Sequence, residues 1–297
     1  MYHNAVLLNE AVSGLNIKPN GVYVDVTYGG GGHSKEILKQ LTTGRLIGFD
    51  QDHDAIENEI EDKRLILINN NFRYLKNFLR YHEAIPVDGI LADLGVSSHQ
   101  FDEAKRGFST RFDSSLDMRM DMKQEISAAT IVNEYQQQKL SEVFWNYGEL
   151  NEGARLAQRI IEYRKTKTIN TTADLKESIS RHIDKRNEAK FLAKVFQALR
   201  IEANQELEAL KVMLSQSLEV LKSGGRLVVI SYHSLEDRIV KNFMKSGNFE
   251  GEVQKDLYGN TNVPFALIVK KPIIPNEKEI LENSRARSAK LRIAEKI

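Results

Sequence analysis

Short apolar runs alternate with helical patterns over the first 93 residues of the chain. Each run predicts a buried strand, and the segments between them repeat apolar residues at helical spacing. Strands that are apolar on both faces are typical of a parallel sheet covered by helices on both sides. The predicted strands are Val22–Val26, Arg45–Asp50, Leu65–Ile68 and Gly89–Asp93. This rhythm predicts a doubly wound α/β domain.

The α/β rhythm stops after Asp93 and resumes near residue 206. Residues 94–125 are polar and irregular, and residues 127–203 show only helical patterns. A leucine-rich helix follows, which we expect to end at Gly224–Gly225. Three further strands are predicted at Arg226–Ile230, Phe265–Val269 and Leu291–Ala294. We therefore expect an all-helical domain, residues 111–205, inserted into one α/β domain formed by residues 1–110 and 206–297.

Composition narrows the functional classes. The 297 residues are 41% hydrophobic and 28% charged, as in ordinary globular proteins, and none is cysteine. A disulfide framework, a cysteine zinc site and a thiolate nucleophile are therefore excluded, and no metal is predicted. We expect no secretory signal at the N-terminus, and no apolar run is long enough for a membrane helix. We expect a cytoplasmic protein that does not associate with membranes.

The net charge of +1 conceals an uneven distribution of charge along the chain. Residues 1–62 hold 4 basic and 10 acidic residues, whereas residues 153–200 hold 12 basic and 5 acidic ones, and the last 14 residues hold 5 basic and 1 acidic. Lys190, Lys194 and Arg200 lie largely off the apolar stripe of their predicted helix. A basic surface of this kind can hold phosphates. Charge alone does not separate that hypothesis from a merely solvated helix.

Four consecutive glycines, Gly29–Gly32, join the first predicted strand to the first predicted helix. Glycine lets the backbone approach a ligand closely beside the positive end of a helix. Asp50 ends the second predicted strand, where a carboxylate can accept both ribose hydroxyls of a nucleoside. The order of strand, glycine turn, helix and strand-end acid predicts a nucleoside-cofactor site. His33 either lines the ligand or caps the helix, and the sequence leaves both open.

S-adenosylmethionine fits this pattern better than a dinucleotide or a nucleoside triphosphate. Ser34 stands where a dinucleotide loop has its third glycine, and no Lys-Ser/Thr pair follows the glycines. Phe72, after the third predicted strand, can form an aromatic wall for adenine. Asp93, after the fourth, faces the same crevice outside the carboxyl ends of the strands. A single strand-end acid is often only a helix cap, but three ligand-type groups at successive strand ends, two acids and one aromatic residue, predict a site.

These residues resemble class I S-adenosylmethionine-dependent methyltransferases and, more specifically, the RsmH (MraW) family. The resemblance extends over nearly the whole chain. Three segments depart from the family pattern: Ser114–Ser115 replaces a common Gly-Pro, Phe191–Lys194 replaces a common His-Pro-Ala segment, and the region between Phe249 and Phe265 is short. The matching segments are His3–Glu10, the Gly-Gly-Gly-His turn, Asp93–Ser98, Arg106–Ser109, Leu116–Met120, Phe196–Ile201, Ser231–Arg238 and Arg285–Arg292.

The resemblance implies a fold, an activity and a partner. The fold is a Rossmann-like class I methyltransferase sheet with an inserted all-helical, RNA-binding domain. The activity is methylation of N4 of a cytidine in 16S ribosomal RNA, with S-adenosyl-L-methionine as methyl donor. The partner is 16S rRNA within the small ribosomal subunit, and a homodimer is compatible with the sequence. Another S-adenosylmethionine-dependent methylation of a nucleic-acid amine is the alternative activity.

The resemblance also implies roles for single residues. It places Gly31, Gly32 and His33 in the cofactor turn, Asp50 on the ribose and Phe72 against the adenine. It assigns the remaining cofactor contacts to Asp93 and Gln100.

The reaction itself points to three further roles at the strand ends. Asp93 lies where the substrate amine should meet the methyl group. Tyr232 and His233, after the fifth strand, are candidates to stack on or hydrogen-bond a base splayed from the RNA. The alternative for this pair is a packed aromatic with a satisfied histidine.

Two functions from other classes remain as alternatives. A dehydrogenase would need a third glycine in the turn, where this chain has Ser34. A non-catalytic RNA-binding module would leave the strand-end acids unexplained. Among methyltransferases, carbon-5 methylation of a pyrimidine normally needs a cysteine, which the chain lacks. DNA amine methyltransferases carry Pro-Pro-aromatic after the acid that here is Asp93, and this chain has Leu94-Gly95-Val96 instead.

Overall fold

The structure, a computed structural model, describes residues 5–56, 60–96, 106–180, 186–253, 261 and 263–297. The chain forms two compact units, Met1–Gly95 with Leu207–Ile297, and Val96–Glu206. The sequence places the first border later, between residues 110 and 111. Phe108, together with Leu116 and nearby methionines, is buried in the core of the second unit. The apolar residues that follow Val96 thus draw this irregular stretch into the helical unit.

The first unit is built on a seven-stranded sheet in the order β3-β2-β1-β4-β5-β7-β6. The first five strands of that order are parallel, and β7 and β6 complete the edge as antiparallel strands. This α/β sheet confirms the predicted fold class. The strands are β1 Val22–Asp25, β2 Arg45–Asp50, β3 Leu65–Asn69, β4 Val87–Asp93, β5 Leu221–Ser231, β6 Phe265–Leu267 and β7 Lys290–Lys296.

Helices cover both faces of this sheet because its strands are apolar on both sides. Along β5, Leu227 and Val229 enter one buried cluster, while Val228 and Ile230 enter the other. Two short 3-10 helices, Phe72–Tyr74 and Ser284–Ser288, lie in the connections. The α-helices of this unit are α1 Leu8–Gly14, α2 Gly32–Gln40, α3 His53–Ile56, α4 Leu75–Tyr81, α10 Glu206–Val220, α11 Ser234–Ser246 and α12 Glu277–Glu282.

Two sequence predictions about this unit are wrong in detail. The helix before β5 ends at Val220, and Gly224–Gly225 lie inside β5. There they form an irregularity against β4, since Val87 pairs with Leu221 but Gly89 pairs with Arg226. Gly224 has φ +75°, a left-handed conformation that glycine adopts without strain. Strand β6 ends at Leu267 rather than at Val269.

In its described residues, 96, 106–180 and 186–206, the second unit contains helices and no strand, as the apolar pattern predicts. Ser127 and Thr171 begin two of them with capping boxes, in which side chains satisfy the first free backbone N–H groups. Within the described part of the chain, no helix is long and apolar enough to cross a membrane. The helices are α5 Ala128–Glu134, α6 Gln137–Gly148, α7 Gly153–Arg164, α8 Thr172–Ile179 and α9 Glu188–Asn204.

The order of the strands determines where a ligand can bind. Strand β1 pairs with β2 on one side and with β4 on the other. Strands β2 and β3 therefore extend the sheet to one side of β1, and β4 and β5 extend it to the other. Such a reversal opens a crevice outside the carboxyl ends of the parallel strands. The first unit therefore has its natural ligand crevice next to Asp25 and Asp93, the last residues of β1 and β4.

Candidate active site

Three predicted site residues meet at the carboxyl ends of β4 and β5. The Tyr232 hydroxyl donates a hydrogen bond to Oδ1 of Asp93 over 2.7 Å. Nδ1 of His33 lies 3.8 Å from Oδ2 of the same carboxylate. Asp93 retains 21% of its side-chain exposure, whereas His33 retains 5%. The carboxylate of Asp93 is thus fixed through Oδ1 by one hydrogen bond, has His33 beside Oδ2, and still reaches solvent.

His33 does not cap helix α2. The N-cap is Gly31, and its φ of +73° is left-handed. His33 is buried with Nε2 3.1 Å from the carbonyl oxygen of Val6. A carbonyl can only accept, so Nε2 carries the hydrogen and Nδ1 faces Asp93. His33 is therefore a buried neighbour of the strand-end carboxylate that is anchored to the backbone of Val6.

Asp25 and Thr27 are site residues that the sequence analysis missed. Thr27 Oγ1 accepts the backbone N–H of Asp93 at 2.6 Å and lies 3.4 Å from Oδ1 of Asp25. The other Asp25 oxygen accepts the hydroxyl of Ser34 at 2.7 Å. A hydrogen-bonded chain thereby links helix α2, next to the glycine turn, to Asp93. An acid inside an otherwise apolar strand was the available signal.

Asp50 ends β2 beside the glycine turn. Its carboxylate accepts the backbone N–H of Gly29 and that of Asp52, each at 2.8 Å. Each oxygen has a second lone pair to offer a ligand. Burial raises the pKa of Asp50 to about 6, even though both backbone hydrogen bonds lower it. Asp50 is thus an acceptor anchored to the turn that it borders.

Phe72 begins the 3-10 helix that follows β3, the strand next to β2. Its ring is half-buried and packs against the apolar cluster on one face of the sheet. Asn69, paired with Asp50 in the sheet, donates its side-chain amide to the Asp50 carbonyl at 3.1 Å. Asp50, the last residue of β2, and Phe72, shortly after β3, thus lie at the ends of neighbouring strands, as the sequence predicts.

The glycine turn leaves little room for side chains. A Cβ at Gly31 would lie 2.9 Å from the Tyr28 hydroxyl, and one at Gly32 would lie 2.9 Å from the Cβ of Ala5. At Gly29, with φ +53°, a Cβ would make only an ordinary contact, 3.8 Å from the Thr27 carbonyl oxygen. The N–H groups of Gly29 and Gly31 are bound by Asp50 and by the Tyr28 carbonyl, whereas Gly30 and Gly32 are exposed at the start of helix α2, where a ligand with acceptor groups can approach.

Acidic groups in close proximity dominate the electrostatics of the site. Burial raises the pKa of Asp93 to about 6; His33 and Tyr232 lower it, and Asp25 and Glu236 raise it. Burial and the neighbouring Asp93 raise the pKa of Tyr232 well above its usual value, so Tyr232 remains a donor. Burial likewise raises the pKa of Asp25. A cationic ligand would relieve the cost of keeping these carboxylates ionised.

His233 is the N-cap of α11. Its Nδ1 accepts the backbone N–H of Glu236 at 3.4 Å, and the Glu236 carboxylate accepts the N–H of Tyr232 at 2.9 Å. Nε2 lies 3.1 Å from Oε1 of Glu236 without hydrogen-bond geometry. Glu236, buried and missed by the sequence analysis, thus fixes the backbone that carries Tyr232. His233 has a structural role here, and its proposed contact with a base stays a prediction.

Gln100, the remaining predicted cofactor contact, lies outside the described residues. The other predicted site residues all belong to the first unit.

Much of the predicted basic surface is engaged inside the protein. Arg200 forms an ion pair with Glu206 at 2.9 Å, and Lys290 and Arg292 share Asp237. The expectation that Arg200 faces a partner is therefore wrong. Other cations of these segments contact backbone carbonyls or acids: Arg164, Lys167, Lys176, Lys194 and Lys296. Arg155, Lys165 and Lys190 are exposed.

The residues of this site suit S-adenosylmethionine. An acceptor pair at Asp50, an open glycine turn and nearby carboxylates match its ribose, its amino-acid tail and its positive charge. The sequence pattern of the MraW methylase family matches residues 1–297. The chain belongs to that family. The predicted family, the methyltransferase activity and the dependence on S-adenosylmethionine are therefore confirmed.

Relatives resemble the chain over its full length. It is 60% identical over 291 residues to ribosomal RNA small subunit methyltransferase H of Flavobacterium psychrophilum, covering 98% of this chain and 100% of the relative. It is 58% identical over 297 residues to the protein of the same name from Flavobacterium johnsoniae, covering 100% and 98%. A crystal structure of an rRNA methylase from Streptococcus thermophilus, 12% identical, covers 98% of this chain and 93% of that one at a TM-score of 0.40.

Proposed function

We propose that this MraW-family enzyme methylates N4 of a cytidine in 16S ribosomal RNA, acting in the cytoplasm on the small ribosomal subunit. The names of its relatives support a ribosomal RNA substrate. The observation that carries the choice of an amine is the carboxylate of Asp93, which Tyr232 holds at the strand end beside His33. An ionised carboxylate only accepts hydrogen bonds, which suits an N–H group in the substrate.

S-adenosylmethionine, when bound, supplies a methyl group on a positively charged sulfur. In this proposal Asp50 accepts its ribose hydroxyls, the Gly31–Gly32 turn admits its amino-acid part, and Phe72 covers its adenine. Asp93 is shared between the cofactor and the substrate. None of these contacts needs a phosphate group, in keeping with the absence of a phosphate loop from the sequence.

The cytosine amine is a weak nucleophile because its lone pair is delocalised into the ring. Oδ1 of Asp93 already accepts the Tyr232 hydroxyl, so Oδ2 is the oxygen best placed for an amine N–H. A hydrogen bond to a fixed acceptor favours the pyramidal nitrogen that attacks the methyl carbon. The nitrogen gains a methyl group and releases one proton. Asp93, with a pKa of about 6, is largely ionised above that pH and can take up this proton.

Tyr232 positions Asp93 in this mechanism. Its hydroxyl is engaged by Asp93, so its remaining contribution to the substrate is the face of its ring. His233, as N-cap of α11, orients the segment that carries Tyr232 and offers a ring edge to a base. The all-helical unit, through Arg155, Arg159 and Lys190, holds the RNA backbone. A homodimer stays a prediction of the sequence.

The position of the transferred methyl group tests the proposal. Small subunits, and separately the naked 16S rRNA, are incubated with enzyme and deuteromethyl-labelled cofactor, then digested to nucleosides for mass spectrometry. We expect label in N4-methylcytidine and none after incubation with Asp93→Ala. Label on a ring carbon or on ribose would overturn the assignment to N4, and label only in another RNA would overturn the substrate.

A further inference from the structure

A cavity of about 370 Å³ lies between helix α11 and the β6–β7 edge of the sheet in the first unit. Its floor is apolar and includes Met244, Leu267 and Ile293. Its lining also holds Lys241 and Lys245 of α11, Lys270 and Lys271 after β6, and Arg292 of β7. Among the described residues, the side chains that line it include no acidic and no aromatic one.

Four of the five cations carry charge that the protein does not neutralise. Lys241 and Lys245, one helical turn apart on the same face of α11, repel each other, and Lys270 and Lys271 are adjacent in sequence. All four are exposed, and within the described ranges none of their ammonium groups forms an ion pair or hydrogen bond. Such a concentration of like charge costs stability unless an anion binds to it.

The fifth cation, Arg292, is neutralised within the protein together with its neighbour Lys290. Arg292 donates to Asp237 at 2.7 Å, and Lys290 does so at 3.1 Å. Burial would raise the pKa of Asp237, but these hydrogen bonds outweigh it and hold that pKa below its usual value. Asp237 is therefore already matched by two cations and does not compensate the four exposed lysines.

The cavity lies beside the same row of residues as the reaction centre. Asp93 pairs with Ile230, Ile230 with Leu291, and Leu291 with Ile273, directly after the Lys270–Lys271 segment. Strands in a sheet lie about 4.8 Å apart, so Ile273 is roughly 14 Å from Asp93 across the row. A stacked strand rising about 3.4 Å per nucleotide covers that distance in about four nucleotides.

We propose that this lysine-rimmed cavity, formed by Lys241, Lys245, Lys270 and Lys271, binds the phosphate backbone of the RNA strand that leaves the reaction centre. The proposal rests on the proposed RNA substrate. The lysines contact phosphates, and the apolar floor packs against ribose. A lining without aromatic side chains offers bases no stacking platform, so this contact is independent of sequence.

The composition of the rim favours RNA over an anionic membrane. Membrane-surface sites combine cations with interfacial tryptophan or tyrosine, and the described lining holds neither. The cavity also lies along the row of residues that ends at Asp93. An RNA strand bound at the reaction centre is expected to follow such a row, whereas lipid binding gives no reason for the cavity to lie there.

Salt dependence of RNA binding tests the proposal in the full-length chain. Binding of a labelled single-stranded RNA and of naked 16S rRNA is titrated at several salt concentrations for wild type and for Lys241→Gln/Lys245→Gln and Lys270→Gln/Lys271→Gln. The control, Lys18→Gln/Lys63→Gln, removes two exposed lysines that precede β1 and β3, outside the cavity lining. Cofactor binding, measured by calorimetry, checks folding of every variant.

For each cavity variant we expect RNA binding to be roughly tenfold weaker than for wild type. Each phosphate neutralised on a single strand contributes about 0.7 to the slope of log K against log salt. Each variant removes two lysines, so the magnitude of this slope should fall by about 1.4. Cofactor affinity should match wild type. If the cavity variants show the same salt slope of RNA binding as the control variant, the proposal is wrong. It is also wrong if these variants keep RNA binding but lose binding to phosphatidylserine vesicles. Because these titrations require no methyl transfer, a wrong N4 assignment would appear only in the nucleoside analysis.

Discussion

The Tyr232 hydroxyl donates its hydrogen bond to Asp93 across the 2.7 Å that separates these two side chains at the ends of β5 and β4. The two residues are far apart in sequence and meet because β4 and β5 are parallel neighbours. The hydrogen bond leaves one carboxylate oxygen for a ligand and is one of the interactions that lower the pKa of Asp93. Strand pairing in the sheet thereby determines both the position and the ionisation of this carboxylate.

Replacing Tyr232 by phenylalanine should slow methyl transfer and shift its pH dependence. The hydrogen bond stabilises the ionised form of Asp93, so its loss raises the pKa of Asp93 above about 6. A hydrogen bond to a charged group is worth about 1.5–3 kcal/mol, which corresponds to a shift of roughly one to two pH units. Single-turnover rates measured across pH 5–9 should show the acidic limb of Tyr232→Phe moved to higher pH. Tyr81→Phe, at a tyrosine that is 80% exposed, is the control.

Replacing Thr27 by valine should lower kcat while leaving cofactor affinity nearly unchanged. The substitution keeps the shape of the side chain but removes the acceptor for the Asp93 N–H. An unpaired backbone N–H at this position costs about 1–3 kcal/mol and releases the Asp93 backbone from β1. Stopped-flow turnover, calorimetry and thermal unfolding separate the effects. Thr27→Ser, which retains the hydroxyl, should behave like wild type; equal reductions of kcat in both variants would contradict the positioning role.

The sequence was sufficient to predict the sheet because its strands are buried on both faces and therefore apolar throughout. It also led to the prediction of Asp50 and Asp93 as site residues, since both acids stand at the end of an apolar run. Asp25 escaped notice because it lies one residue inside the run predicted as Val22–Val26. Its role depends on the hydrogen bond from Ser34. In the sequence, Ser34 is noticeable only because a dinucleotide loop has glycine at that position.

Other features depend on contacts between segments that are distant along the chain. Nothing local to Arg200 indicates that Glu206 neutralises it, and nothing local to Lys290 or Arg292 indicates Asp237. Net charge over a segment therefore overestimated the basic surface of the helical unit. The same limitation hid the four exposed lysines, because α11 and the segment after β6 come together only in the folded sheet.

Replacing Asp50 by alanine should weaken S-adenosylmethionine binding by roughly tenfold to a hundredfold. The ribose hydroxyls are left without their acceptor, at a cost of about 1–3 kcal/mol. Calorimetric titration measures the affinity, and thermal unfolding reports whether the Gly29 and Asp52 N–H groups, left without this acceptor, disturb the turn. Glu61→Ala removes an exposed acid nearby as a control. An unchanged affinity for Asp50→Ala would remove this residue from the cofactor site.

Reversing the charge of Arg155, Arg159 or Lys190 should weaken RNA binding and flatten its salt dependence. Each phosphate of a single strand that the variant no longer neutralises reduces the slope by about 0.7. Cofactor affinity, measured in parallel, should not change. Lys63→Glu, in the first unit and before β3, supplies the matched control. If all three variants keep the wild-type slope, the helical unit does not hold RNA through these residues.

Replacing Asp93 by asparagine should abolish most methyl transfer and yet stabilise the fold at neutral pH. The folded-state pKa of Asp93 is about 6, above the value of about 3.9 expected in an unfolded chain. As pH rises from about 4 to about 6 the unfolded state ionises first, so wild type loses stability that the uncharged asparagine keeps. The amide oxygen of asparagine still accepts the Tyr232 hydroxyl. Urea unfolding should therefore give a difference in free energy of unfolding near zero at about pH 4, growing to about 1–3 kcal/mol in favour of Asp93→Asn at about pH 7.5. If Asp93→Asn is less stable than wild type at about pH 7.5, the ionised Asp93 carboxylate stabilises the fold. That result would contradict the prediction, in which this carboxylate lowers the free energy of unfolding and serves the reaction.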